Sequence, residues 1–224
     1  MGGAVFDCPD LRDRRQVFRD RSHAGDVLAG LLAGRDARAG LVLAIPAGGV
    51  PVGAIVARRL EVPLDLAVVS KITPSWNTEV GYGAVAWDGT TRIDRNFVRS
   101  FDLSDQEVQA GVARAQDKVA RRLQRFRGDR PPPVLAGVAA LLVDDGLASG
   151  STLRVAVEAA RGAGASAVLV AVPTGHSASI EEMAAQVDVY CANLRGGVRF
   201  AVADAYQLWT DLTEDEVAAM LSAT

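Results

Sequence analysis

From Asp26 to Ala192 the chain repeats one arrangement, in which short unbroken apolar runs alternate with stretches whose apolar residues recur every three or four positions. Leu41–Pro46 (LVLAIP), Leu64–Ser70 (LDLAVVS), Gly137–Val143, Ala165–Pro173 and Val187–Ala192 are of the first kind and predict buried strands. Asp26–Gly34, Val50–Leu60, Ser151–Arg161 and Ser179–Gln186 are of the second kind and predict helices. Gly34 fits a C-cap, and Pro51 stands where a missing N–H costs little. Ala84–Trp87 and Thr91–Asp94, joined by Asp88-Gly89-Thr90, read as a hairpin. Ser104 stands three residues before Glu107, the pattern of a capping box, and opens a long helix to about Phe126. The stretch before Arg21 is polar and is expected to be irregular. Asp211–Leu221 predicts a short amphipathic helix capped by Thr213 with Glu216 as its box partner, serving as a cover or a dimer element.

Strands alternating with helices imply right-handed crossovers, so the fold class is α/β: an open, mostly parallel sheet with helices on both faces. The hairpin and the polar loop Ile72–Gly81 are insertions into that plan. Neither an internal repeat nor a long linker divides the 224 residues, so one domain is expected over 1–224, with its core at about 41–193.

Composition narrows the functional classes. Hydrophobic residues make up 49% and charged residues 23%, which excludes a disordered chain. A net charge of −3 argues against nucleic acid as a partner. The two distant cysteines, Cys8 and Cys191, make neither a zinc-ligand spacing nor a disulfide framework, and fit a reducing compartment. No secretory leader is visible at the N-terminus and no apolar run is long enough for a membrane, so a cytoplasmic protein is expected. Arg outnumbers Lys by 22 to 2, which makes Lys71, at the end of the Leu64–Ser70 strand, stand out.

The segment richest in chemistry is Ala140–Thr152, ALLVDDGLASGST. A buried strand delivers Asp144 and Asp145 at its carboxyl end, where open α/β sheets bind ligands. The turn Gly146-Leu147-Ala148-Ser149-Gly150-Ser151-Thr152 follows, and then a helix begins. Backbone N–H groups, hydroxyls and a helix N-terminus make a phosphate site there. The carboxylates would repel a phosphate and suit sugar hydroxyls or a divalent cation. Other signals carry less. Gly48–Ala54 lacks the lysine of a Walker A loop, and Gly162-Ala163-Gly164 follows a helix, not a strand. His23 and His176 have no metal-ligand spacing; His176 follows a strand end, where a rim position is open. The basic run Arg121–Arg130 reads as a solvated helix end.

ALLVDDGLASGST resembles the phosphoribosyl-pyrophosphate (PRPP) signature of the type I phosphoribosyltransferase family in length, order and strand–turn–helix context. Pro46-Ala47-Gly48-Gly49-Val50 is similar to the family's pyrophosphate loop, although the family often carries Arg or Lys where this chain has Ala47. The resemblance covers about Leu41–Thr174, and both chain ends look like those of stand-alone members of unassigned acceptor. It implies transfer of the 5-phosphoribosyl group from PRPP to an unidentified nucleophile, usually nitrogen, with release of pyrophosphate. It further implies that Gly146, Ala148, Ser149, Gly150, Ser151 and Thr152 hold the 5′-phosphate, and that Asp144 and Asp145 hold the ribose hydroxyls. Ala47, Gly48, Gly49 and Lys71 would attend the pyrophosphate. Mg²⁺ would be met by the two aspartates indirectly, through PRPP. The loop Ile72–Gly81, with Trp76 and Glu79, would close over the substrate; Glu79 as metal contact, loop latch or solvated acid stays open. A hood built from about 1–35 and 194–224 would hold the acceptor, and a homodimer is expected. Ala47 keeps open a non-catalytic protein that senses PRPP or a nucleotide, and hydrolysis or phosphorolysis of a ribosyl phosphate is a third option.

Overall fold

The computed structural model describes residues 2–77 and 80–222. Its main sheet has six strands: β1 (Val5–Asp7), β2 (Leu41–Ala44), β3 (Leu64–Leu66), and further along the chain β7 (Ala139–Val143), β8 (Ala167–His176) and β9 (Asp188–Arg195). They lie in the order β1-β9-β8-β7-β2-β3, every pair parallel. Successive side chains of a strand point to opposite faces, and the core divides accordingly. Leu41 and Leu43 of β2, with Ala140 and Leu142 of β7, face α5 (Ser151–Gly162) and α6 (Ser177–Ala184). Val42, Leu141 and Val143 face α1 (Arg21–Ala33) and α2 (Gly49–Leu60). Burial on both faces explains why these strands are continuous apolar runs in the sequence.

The chain departs from expectation at several places. The stretch before Arg21 is not wholly irregular, because Val5–Asp7 forms the edge strand β1 beside β9; three residues are too few to show a period. Helix α1 begins at Arg21 rather than Asp26, since Asp20 caps it by accepting from the His23 N–H at 2.8 Å. Leu64–Ser70 is not one strand. β3 ends at Leu66, and β4 (Val69–Ile72) turns away to pair antiparallel with β5 (Gly83–Ala86), which pairs with β6 (Thr91–Ile93). The predicted hairpin is thus two strands of a second, three-stranded sheet. An apolar run buried on both sides carries no mark of the break, because each half meets a core of its own.

That second sheet is packed between α5 and α4 (Asp105–Arg127). Val69, Ala84 and Ala86 join the α5 side, while Ile72, Tyr82 and Val85 join Val108, Ala115 and Val119 of α4. The capping box of α4 is formed as predicted, with reciprocal Ser104 and Glu107 bonds. A short helix, α3 (Arg95–Ser100), precedes it. The last helix, α7 (Glu214–Ser222), follows the predicted Thr213–Glu216 box and packs on α4. Strand β8 runs three residues past its predicted end at Pro173. Its register with β9 resumes at Thr174–Asn193 beyond the proline, which has no N–H to give. The chain ends are stitched together: Phe18 N–H donates to the Ala205 carbonyl and Gln207 N–H to that of Phe18. Among the described residues no helix is long and apolar enough to cross a membrane.

Candidate functional site

Strands β2 and β7 are neighbours, yet the chain leaves β2 for β3 on one side and returns to β7 on the other. This reversal opens a crevice at their carboxyl ends. A cleft of about 630 Å³ occupies it, and the loops after both strands line it. Of the expected site residues, Ala47, Gly48, Lys71, Asp144, Asp145, Gly146, Ala148, Ser149, Gly150, Ser151 and Thr152 all border this one cleft. Gly49 lies just behind the wall, with its Cα hydrogen aimed at Val143 and Asp144, where a Cβ would come within 2.6 Å of the Val143 carbonyl. Glu79 lies outside the described residues.

The turn after β7 is held open as a cradle. Leu147 N–H donates to the Thr174 carbonyl, and the Leu147 carbonyl accepts from His176 N–H, so the loop is pinned to β8. Gly150 takes φ +71° at the N-cap of α5, a conformation that favours glycine. Arg154 donates to the Ser149 carbonyl at 2.6 Å. Among the described residues the N–H groups of Ala148, Ser149 and Gly150 carry no protein hydrogen bond, and the first turn of α5 adds its own free donors. His176 does not line the cleft; its Nε2 lies 3.0 Å from the Gly197 carbonyl oxygen.

Behind the cradle sit the two carboxyls. Asp144 Oδ1 accepts from the Asp145 N–H at 2.9 Å. Burial, reinforced by the charge of Asp145, holds the Asp144 carboxyl well above the usual carboxylate range, with Lys71 pulling it back in part. Burial also raises Asp145, against the pull of Arg21. The Arg21 Nε meets Asp145 Oδ2 at 2.9 Å. The same guanidinium donates to the Thr210 carbonyl at 2.8 Å and lies 3.9 Å from the centre of the Trp209 ring. The Tyr206 hydroxyl donates to the Asp145 carbonyl oxygen at 2.6 Å. Val202 rests against Gly146, where a Cβ would overlap it. Both chain ends therefore close on Asp145 and its loop, which the sequence pattern did not show.

The pyrophosphate-type loop reaches the same pair from the other side. Ile45 ends the strand run, the Pro46–Ala47 peptide is cis, and Gly48 leads into α2. A Cβ at Gly48 would overlap the Asp145 carboxylate, so only glycine lets the loop approach it this closely. Lys71 extends from β4, not from the main sheet, and reaches the cleft across Gly81.

Helix α4 forms the wall that the sequence reading missed. Arg114, Lys118 and Arg122 line the cleft, at positions i, i+4 and i+8 on one helical face. Arg122 is therefore not part of a solvated helix end; it also pairs with Glu214 at 2.8 Å. Arg127, in the same basic run, pairs with Asp65 at 2.6 Å. Two signals pointed to this wall: the four-residue spacing on a predicted helix, and Lys118 being the second of only two lysines. Both lysines line the cleft.

These features define an open parallel α/β protein with an anion-binding loop and a recessed acid pair at its switch point. The chain belongs to the phosphoribosyl transferase family: the model described as phosphoribosyl transferase domain matches residues 28–205. Two Mycobacterium tuberculosis proteins, each named "Putative phosphoribosyl transferase", are 36% identical over 206 residues, covering 92% of this chain and 46% of theirs. The chain thus spans about half the length of those relatives. The crystal structure of protein TT1426 from Thermus thermophilus superimposes with a TM-score of 0.75 at 34% identity, covering 91% of this chain and 97% of that one. The α/β fold and the type I phosphoribosyltransferase resemblance read from the sequence are both borne out.

Proposed function

We propose that this chain transfers the 5-phosphoribosyl group of PRPP to a nucleophile, usually nitrogen, with release of pyrophosphate. One observation carries the reading: the Asp144–Thr152 run with its acid pair and cradle, the Ala47–Gly48 loop and Lys71, which come from three separate segments, border a single cleft. The bond from C1 of the ribose to the pyrophosphate oxygen breaks, and a bond from C1 to the acceptor forms. Between the two, positive charge develops on the sugar. Free N–H groups of Ala148–Gly150 and the start of α5 would fix the 5′-phosphate. Asp144 and Asp145 would accept from the ribose hydroxyls and offset that charge; a site that raises carboxyl proton affinity also favours a cation. Lys71 and the Ala47–Gly49 backbone would stabilise the departing diphosphate.

Among the described residues no group of three or more His, Cys, Asp or Glu side chains is placed to hold a metal. Asp144 and Asp145 would therefore meet Mg²⁺ together with oxygens of PRPP, and the ion would supply charge neutralisation on the diphosphate. The chain ends around Tyr206 and Trp209 would form the hood over the acceptor. The same reading includes a homodimer, which light scattering checks; a monomer at micromolar concentration would refute it.

Calorimetry of PRPP with and without Mg²⁺, on wild type and on Asp144→Asn/Asp145→Asn, tests the assignment. Mg²⁺-dependent binding lost in the variant supports it, and no binding at millimolar PRPP overturns it. Saturable binding without pyrophosphate release across a broad acceptor panel would favour a sensor.

A further inference from the structure

The wall of α4 adds a row of cations to the cleft. Four cations line the cleft, Lys71, Arg114, Lys118 and Arg122, against two carboxylates, Asp144 and Asp145. The whole chain is net negative, so this excess is local. Like charges four residues apart on a helix repel, and the row Arg114–Lys118–Arg122 places two such pairs in succession. Their immediate relief is uneven. Arg114 donates to the Thr73 carbonyl at 3.3 Å, just beyond β4 and Lys71. Arg122 is held by Glu214 of α7. Lys118, between them, has neither a hydrogen bond nor an ion pair among the described residues, and its side chain is exposed to the cleft. Desolvation and the charge of Arg122 push its ammonium below the usual lysine range, against the pull of Glu214.

Position along the cleft separates the roles of these cations. The Arg114 end adjoins Lys71, where the diphosphate is proposed to lie. The Lys118–Arg122 end adjoins α7 and the C-terminal segment, the part of the chain proposed as the acceptor hood.

Resting on the phosphoribosyltransferase reading, we infer that Lys118, flanked by Arg122, binds an anionic group of the acceptor, so that the second substrate is an acid carrying a carboxylate or phosphate. An acceptor carboxylate or phosphate would give the Lys118 ammonium a charge-assisted hydrogen bond that a neutral acceptor cannot.

The test follows pyrophosphate release from PRPP with acceptors paired by ring and differing in charge: orotate and uracil, nicotinate and nicotinamide, anthranilate and aniline. At least one acidic member is expected to support release about tenfold faster than its neutral partner. Lys118→Gln should raise the KM for that acid about tenfold or more, the order of one lost charge-assisted hydrogen bond. The Kd for PRPP should stay within about twofold, and Lys118→Arg should restore most of the acid preference. Equal or better use of neutral members, or no release with any acidic member, overturns the inference. So does a tenfold weaker PRPP Kd in Lys118→Gln, which would give the row to the donor's diphosphate. Wild type that fails to bind PRPP at all refutes the phosphoribosyltransferase reading, and the inference falls with it; wild type that binds PRPP but shows no acid preference refutes the inference alone.

Discussion

The guanidinium of Arg21 is 2.9 Å from the carboxylate of Asp145, although 124 residues separate them in the chain. The pair joins the first turn of α1 to the acidic end of β7, and Trp209 covers it from the C-terminal side. Both side chains are largely withdrawn from water, 9% and 15% exposed, so neither charge has a cheap alternative partner.

Arg21→Ala should therefore destabilise the fold by about 3–5 kcal/mol, the range for removing one member of a buried pair. Urea unfolding measures this. Arg21→Lys should recover part of the loss, because an ammonium keeps the charge but not the stacked, forked geometry over Trp209. A loss below about 1 kcal/mol in Arg21→Ala would show that Asp145 is held by other means.

Gly48→Ala sets a methyl group against the Asp145 carboxylate, which Arg21 prevents from swinging away. Overpacking of this kind costs about 1–3 kcal/mol. PRPP affinity should fall well beyond what that stability loss explains, because the pyrophosphate-type loop and the acid pair are forced apart. Calorimetry on the folded variant checks this; wild-type affinity would separate the loop from the site.

The pH dependence of stability has a definite sign at Asp144. Its carboxyl lies well above its ordinary value of 3.8 in the folded chain. Between those two values the folded state keeps a proton that the unfolded chain has released. Stability from this group is thus fully present below about pH 3.8 and is lost as pH rises through the folded value. Asp144→Asn removes the penalty. It should be more stable than wild type at pH 7–8, and the gap should close toward pH 3–4. Thermal unfolding across pH shows it, and a gap independent of pH would contradict it. The same variant should lose PRPP turnover, a case of a site held at the expense of stability.

Tyr206→Phe removes the hydroxyl that donates to the Asp145 carbonyl at 2.6 Å. The expected loss is about 1–3 kcal/mol, since a recessed acceptor is left unpaired. Burial raises the Tyr206 hydroxyl far above its ordinary range, so it stays a neutral donor across the working pH range, and the loss should not vary with pH there. A pH-dependent difference between Tyr206→Phe and wild type at pH 6–9 would contradict this.

The sequence by itself determined the elements whose cause is local. The buried strands β2 and β7, the capping boxes at Ser104 and Thr213, and the run from Asp144 to Thr152 are each written in consecutive residues. Each needs only a neighbouring period, cap or turn to be read. The cradle followed from the same run, because a strand, a small-residue turn and a helix start dictate where free N–H groups point.

Tertiary structure decided what lies across the cleft. The break of Leu64–Ser70 between two sheets, the closure of Arg21, Tyr206 and Trp209 on Asp145, and the placing of Arg114, Lys118 and Arg122 on the cleft wall all join segments remote in sequence. No single segment encodes such a contact. An arginine at a helix start reads the same whether it meets water or a buried carboxylate, and only packing the two ends of the chain over the switch point tells the two apart.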